Sequence, residues 1–219
     1  MEKNSNNSSG VDLSRVDHLV YASPDLDLGI SRIEELLGVR AGSGGSHEGM
    51  GTRNALVSLG PNCYLEIIAP DPAQTEYFSP RPFGIDDLQS PKLMTWAAKG
   101  TNLDSLVQRA AKHGIELGEA FAMSRQLPEG QILSWTLTFP MQTEGAGLIP
   151  FFIDWGETPH PSLSAAKGAQ LLELTLEHPL QEELDRDFKI LGIEANTVKR
   201  SNAALVAKIE GEIGIVELR

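Results

Sequence analysis

The chain has 219 residues and a formal net charge of −12. That length supports a sizeable core in one large domain or two small ones, and the acidic balance disfavours a phosphate backbone or an anionic membrane surface as partner. A single cysteine, Cys63, excludes an internal disulfide and fits a reducing, cytoplasmic compartment, and no apolar run is long enough to span a bilayer.

Residues 1–14 read as a disordered N-terminus, and Met1–Gly10 lack the apolar core of a signal peptide. Val16–Ala22 reads as a strand closed by Ser23-Pro24-Asp25. Apolar residues at 26, 30, 33, 36 and 37 predict a helix over Asp27–Leu37, ended by Gly38. Ala41–Gly51 holds five glycines and reads as a flexible loop, with a short strand at Val39-Arg40. Strands follow at Thr52–Leu59 and Cys63–Ala69, and Pro70-Asp71-Pro72 stops the second. This first module, residues 15–72, is βαβββ.

Prolines at 70, 72, 80, 82 and 91 mark residues 73–91 as a linker or surface loop. The pattern then returns: a strand at Leu93–Ala98, a helix at Leu103–His113 ended by Gly114, and strands at Glu119–Arg125, Gln131–Phe139 and Leu148–Trp155. Residues 92–160 thus form a second βαβββ module, with Leu37-Gly38-Val39 and His113-Gly114-Ile115 setting the register of the repeat. A third, partial copy occupies residues 168–219. It has a strand at Leu171–Leu176, a helix at Gln181–Leu191 ended by Gly192, and strand-like runs to Leu218.

Two residues break the apolar strands. His18 interrupts the opening strand of the first module, and Glu66 interrupts the closing one, Tyr64-Leu65-Glu66-Ile67-Ile68. A buried carboxylate without a partner is expensive, so the two strands are expected to lie side by side and aim His18 and Glu66 into one cleft. His18 suits proton transfer near neutral pH, and burial suits Glu66 to the same work. His47 stands in the glycine-rich loop, which can reach over a site. Arg53 and Asn54 alternate along a strand, so only one of them faces the cleft. Arg53 there would pair with a substrate anion. Trp96, Trp135, Phe152 and Trp155 are candidates for an aromatic lining, although aromatics on strands more often serve only the core. Cys63 opens an apolar strand and reads as buried rather than nucleophilic.

The paired βαβββ modules, with Val16-Asp17-His18-Leu19-Val20 opening and Tyr64-Leu65-Glu66-Ile67-Ile68 closing the first, resemble the glyoxalase, bleomycin-resistance and extradiol-dioxygenase superfamily, the vicinal oxygen chelate fold. The stretches Gly49–Gly60 and Leu148–Trp155 are similar to its glyoxalase-like branch. The resemblance implies an α+β fold with an open, cup-shaped mixed sheet. It implies one divalent metal (zinc, iron, manganese or nickel) in the metalloenzymes, and none in the drug- and ligand-holding members. His18 and Glu66 match the first-module ligand pair. The second module departs from the pattern, with Met94, Thr95 and Trp96 on its opening strand and Phe151, Phe152 and Ile153 on its closing one. His160, just beyond that strand, is the candidate third ligand. The expected function is a lyase, isomerase or dioxygenase of a small oxygenated metabolite, with Glu66, His18, His47 and Arg53 as catalytic candidates and Asn54 among the binding residues. The alternative is a metal-free, non-catalytic small-ligand binder. A homodimer is compatible with either.

Overall fold

The computed structural model describes residues 10–126, 132–139 and 147–219. Of the start expected to be disordered, residues 1–14, the first nine lie outside the described residues, as does Gln131 of an expected strand, whereas Gly10–Val11 is a strand paired with Ala195–Asn196, whose ladder fixes it. In chain order the strands and helices are β1 (Gly10–Val11), β2 (Val16–Ala22), α1 (Leu26–Leu37), β3 (Gly42–His47), β4 (Thr52–Ser58), β5 (Tyr64–Pro70), β6 (Lys92–Lys99), α2 (Leu103–Ala111), β7 (Ala120–Gln126), β8 (Ile132–Thr138), β9 (Phe151–Asp154), β10 (Gln170–His178), α3 (Gln181–Leu191), β11 (Ala195–Asn196), β12 (Val198–Lys199), β13 (Ala204–Gly211) and β14 (Gly214–Leu218).

Eight strands form one sheet in the order β3-β4-β5-β2-β6-β9-β8-β7. The order reads alike from its centre outward. β2 pairs with β5 in parallel, β6 pairs with β9 in parallel, and the two opening strands pair antiparallel where the modules meet. The duplication therefore places the first strand of each module at the middle of one curled sheet. The third module builds a separate sheet, β12-β10-β13-β14, while β1 pairs with β11.

Helix ends follow local chemistry. The Asp25 carboxylate accepts from Leu28 N–H at 2.9 Å and caps α1, and Gly38 leaves it in the left-handed region at φ 73°. Leu26, Ile30, Ile33 and Leu37 form the buried stripe of α1 that covers the sheet.

The pleat splits the apolar side chains into two cores. On the helix-covered face, Leu19, Tyr21, Leu65, Ile67 and Trp96 pack with α1, α2 and the third module, whose Leu174, Phe188 and Ile209 complete one continuous core. On the concave face, Val20, Ile68, Ala97, Trp135, Leu137, Phe151 and Ile153 pack together. β2 and β5 serve both cores, which is why all seven residues of β2 are buried.

The stretch expected to be a flexible loop is different. Gly42–His47 is an edge strand paired antiparallel with β4, and Val39-Arg40 is not a strand. Neighbouring β4 supplies the ladder that poor β-propensity hides. The turn after β3 is riveted by Gln74, whose side chain accepts from Gly49 and Gly51 N–H, each at 3.1 Å, and donates to Ser46 Oγ and His47 O. Gln74 belongs to the segment read as a linker. Further along that segment Ile85 is buried and Phe83 reaches the concave face.

Candidate functional site

A cavity of about 70 Å³ opens on the concave face. The first module supplies its polar side: His18 from β2, His47 from β3, Thr52 and Asn54 from β4, and Tyr64 and Glu66 from β5. The second module and the segment before it supply an apolar side, including Phe83, Trp135, Phe139, Phe151 and Trp155.

His18 and Glu66 meet as expected. His18 Nε2 lies 3.8 Å from Glu66 Oε2, and both residues are buried. His47 joins them, with Nε2 3.7 Å from Glu66 Oε1. The orientation of His18 comes from a residue that pattern reading misses. Neighbours on a strand normally point to opposite faces, yet Asp17 and His18 touch through their side chains. The β2–β6 register slips by one between Val16 and His18, an irregularity that brings the Asp17 carboxylate round to the ring. His18 Nδ1 stands 2.8 Å from Asp17 Oδ1. The other Asp17 oxygen faces His160 Nε2 at 3.2 Å, and Trp155 Nε1–H reaches the carboxylate at 3.2 and 3.3 Å.

The hydrogen-bond network assigns the tautomers. His160 Nδ1 accepts from Ser162 N–H, so its Nε2–H donates to Asp17. Asp17 thus accepts N–H bonds from His160, His18 and Trp155. Burial pushes its carboxyl up, but the hydrogen bonds from His160 and His18 outweigh that and hold it down at about 2. His18 spends Nδ1–H on Asp17, so in the neutral imidazole the Nε2 lone pair faces Glu66. Tyr64 stacks on the His18 ring at 4.5 Å and Phe151 meets it edge-on at 5.4 Å, which fixes the imidazole plane.

Glu66 is held from the other side. Asn54 Nδ2–H donates to Glu66 Oε1 at 2.5 Å and lies 3.1 Å from His47 Nε2, while Asn54 Oδ1 accepts Gly45 N–H at 3.0 Å. That last bond fixes which end of the amide faces the carboxylate. Gly44 makes it possible: the β3–β4 register slips between Ser43 and Gly45, and a Cβ at Gly44 would stand 2.0 Å from Asn54 Oδ1.

The remaining expected residues divide by face. Asn54, Trp135 and Trp155 line the cavity. Arg53 shares the opposite face with Ala55 and Val57, so it does not meet the site. Trp96 and Phe152 are also on that face and fully buried. Trp96 donates to Leu148 O at 2.9 Å and stacks on Phe188 of α3. Their parity along β6 and β9 sends them to the core, while Ala97, Phe151 and Ile153 face inward. Cys63 is buried and its thiol is pushed up to about 12, chiefly by that burial, which makes it a poor nucleophile.

The donor set does not fit a resident divalent metal. His18, Glu66 and His160 do not converge, because His160 addresses Asp17 rather than Glu66. In the trio that does meet, the NH₂ of Asn54 caps both Glu66 Oε1 and His47 Nε2 on the sides where an ion needs lone pairs. In the second module the inward positions include Ala97, Phe151 and Ile153, which offer no ligand, and Thr95, opposite Val20, whose hydroxyl donates to Gly147 O. Among the described residues no group of three or more His, Cys, Asp or Glu is placed to hold an ion.

The duplicated βαβββ cup is the architecture of the glyoxalase and vicinal oxygen chelate superfamily. A family model described as a glyoxalase-like domain matches residues 16–192, and the chain belongs to that family. No protein of curated function matches the sequence. Among solved structures, a hypothetical protein from Staphylococcus aureus shares the fold at a TM-score of 0.65 and 12% identity, over 92% of this chain and 97% of that one. Methylmalonyl-CoA epimerase from Mycobacterium tuberculosis is more distant, with a TM-score of 0.42 and 20% identity over 74% of this chain and 97% of that one. A hypothetical protein from Bacillus halodurans is comparable, at 0.43 and 13% over 66% and 96%. No helix among the described residues is long and apolar enough to cross a membrane.

Proposed function

We propose that the protein is a glyoxalase-like isomerase that moves protons on a small α-hydroxycarbonyl substrate, with Glu66 and His18 as the acid–base pair. One observation carries this reading: His18 Nε2 and a Glu66 oxygen, both acceptors when the imidazole is neutral, face each other across 3.8 Å in a buried cavity. Two such acceptors are satisfied by an O–H and a neighbouring acidic C–H, one to each, which an α-hydroxycarbonyl supplies. Glu66 takes the proton from the carbon beside the carbonyl, and the electron pair moves onto the carbonyl oxygen. His18 takes the hydroxyl proton and returns it to that oxygen as the enediol forms. Glu66 then returns its proton to the neighbouring carbon, so hydroxyl and carbonyl exchange places and both side chains end as they began. The buried Asp17 carboxylate stabilises the transient imidazolium.

The test is proton NMR of hydroxyacetone and 2-hydroxyacetophenone in heavy water. The protein should accelerate loss of the carbon-bound proton signal, and Glu66→Gln should abolish that acceleration. Absence of acceleration, or acceleration undiminished in Glu66→Gln, overturns the assignment. Binding without exchange, equal in the wild type and Glu66→Gln, is the signature of a ligand-holding protein without catalysis.

A further inference from the structure

The cavity is divided unevenly by module: His18, His47, Asn54 and Glu66 come from the first half of the duplication together with the Tyr64 ring, whereas most of the aromatic lining comes from the second half and the segment leading into it. Trp135 and Trp155 lie with ring centroids 5.3 Å apart. Phe83 packs on Phe139 at 5.4 Å and on Phe151 at 6.1 Å. Phe151 also meets the edge of His18, so the aromatic surface begins where the acid–base pair ends.

Phe83 is the informative member. Its backbone stands at φ 61° and ψ 15°, a left-handed conformation that bulky residues rarely adopt, and Gly84 follows in the same region. A glycine at 83 would take that conformation freely. The fold instead holds a phenyl ring there, over the concave face and beside two other rings. The Trp96 and Phe152 rings on the other face are buried in the core, whereas these line open space.

We infer that the substrate carries an aromatic ring, or an apolar group of similar size, and that this body is held against Phe83, Phe139, Phe151, Trp135 and Trp155 while its hydroxycarbonyl end reaches Glu66 and His18. Stacking and edge contacts on such rings reward a flat apolar body. The polar end is directed to the patch where His18, His47, Asn54 and Glu66 converge. This assignment rests on the acid–base reading for which end of the ligand faces Glu66. The preference for an apolar body stands on the rings alone.

The experiment compares binding of 2-hydroxyacetophenone and hydroxyacetone, which share the hydroxyketone and differ by a phenyl ring against a methyl group. Ligand-observed NMR and tryptophan fluorescence read the affinities. The aryl compound should bind roughly tenfold or more tightly, the order expected for burying the extra apolar surface. Trp135→Ala should remove most of that advantage. Phe83→Gly should also reduce it with only a small change in melting temperature, because the relieved backbone offsets the lost ring contacts and the added freedom of the unfolded chain. Equal affinities, no binding of 2-hydroxyacetophenone, or an unchanged preference in Phe83→Gly would overturn the inference. Proton exchange on both ketones with equal affinities would refute the aryl preference and spare the acid–base pair. Tight aryl binding without exchange would do the reverse.

Discussion

Asp17 governs the site through a carboxylate that never needs to touch substrate. Its three N–H donors hold His18 in one tautomer and bind Trp155 and His160 to the same point. Asp17→Asn would present an NH₂ or a weaker acceptor to these donors and let the imidazole turn. Proton exchange should fall by roughly a hundredfold or more, with a smaller change in ligand affinity. Glu66→Gln should cost about 10²–10⁴-fold in exchange, as loss of the carbon acid's base does. Asp17 also sets a pH dependence of stability. Its folded value, about 2, lies below the usual 3.8. The stabilisation is therefore fully present above pH 3.8 and is lost as pH falls through 2, to a total of about 2 kcal/mol. Urea denaturation at stepped pH should show that loss in the wild type and a flatter profile in Asp17→Asn. The Asp-His pair is plain in the sequence, but alternation along a strand assigns its members to opposite faces. A one-residue slip against β6 has no local signature, so Asp17 escapes pattern reading where His18 and Glu66 do not.

At the scale of elements, the edge strand β3 shows why a glycine run can be structure. Gly44 lies beneath Asn54, and any Cβ there meets the Asn54 amide oxygen at 2.0 Å and its backbone oxygen at 3.0 Å. Gly44→Ala should push Asn54 off Glu66, lower stability by about 1–3 kcal/mol and reduce proton exchange together with it. Gly49→Ala is the comparison: its Cβ meets nothing within 4 Å, although its φ of +72° adds modest strain. It should lower stability by about 1 kcal/mol and leave the Asn54–Glu66 bond intact. Thermal melts and the exchange assay on both variants separate the two effects. The helices and the repeat are legible because three helix stripes, each followed by a glycine, recur at module spacing. β3 is not, since its stability comes from the ladder to β4 and from Gln74, both distant in sequence. Arg53 and Asn54 illustrate a half-legible case. Alternation says that one of them faces the cup, and only the register of β4 decides for Asn54.

The whole molecule is three modules around one helix-side core. The third module closes the outside of both others: Leu171 N–H donates to Leu59 O at 3.0 Å and Glu212 N–H to Leu37 O at 2.7 Å in the first, and Trp96 of the second stacks on Phe188 of α3. The third copy therefore lies across the sheet from the cavity and supports the strands that carry His18 and Glu66 without lining the site. A core shared in this way has two consequences. Chemical unfolding should be a single transition, coincident by tryptophan fluorescence and far-ultraviolet circular dichroism, because no module can bury its apolar face alone. The β13–β14 hairpin should also be sensitive at Gly211, where a Cβ would stand 2.4 Å from the Leu37 carbonyl oxygen at the end of α1. Gly211→Ala should lower the midpoint by the equivalent of about 1–3 kcal/mol. The affinity for 2-hydroxyacetophenone at temperatures well below unfolding should stay unchanged. Separate transitions for the two probes would make the third module an independent unit, and weakened ligand binding in Gly211→Ala would show that strain at α1 passes through the sheet to the cup.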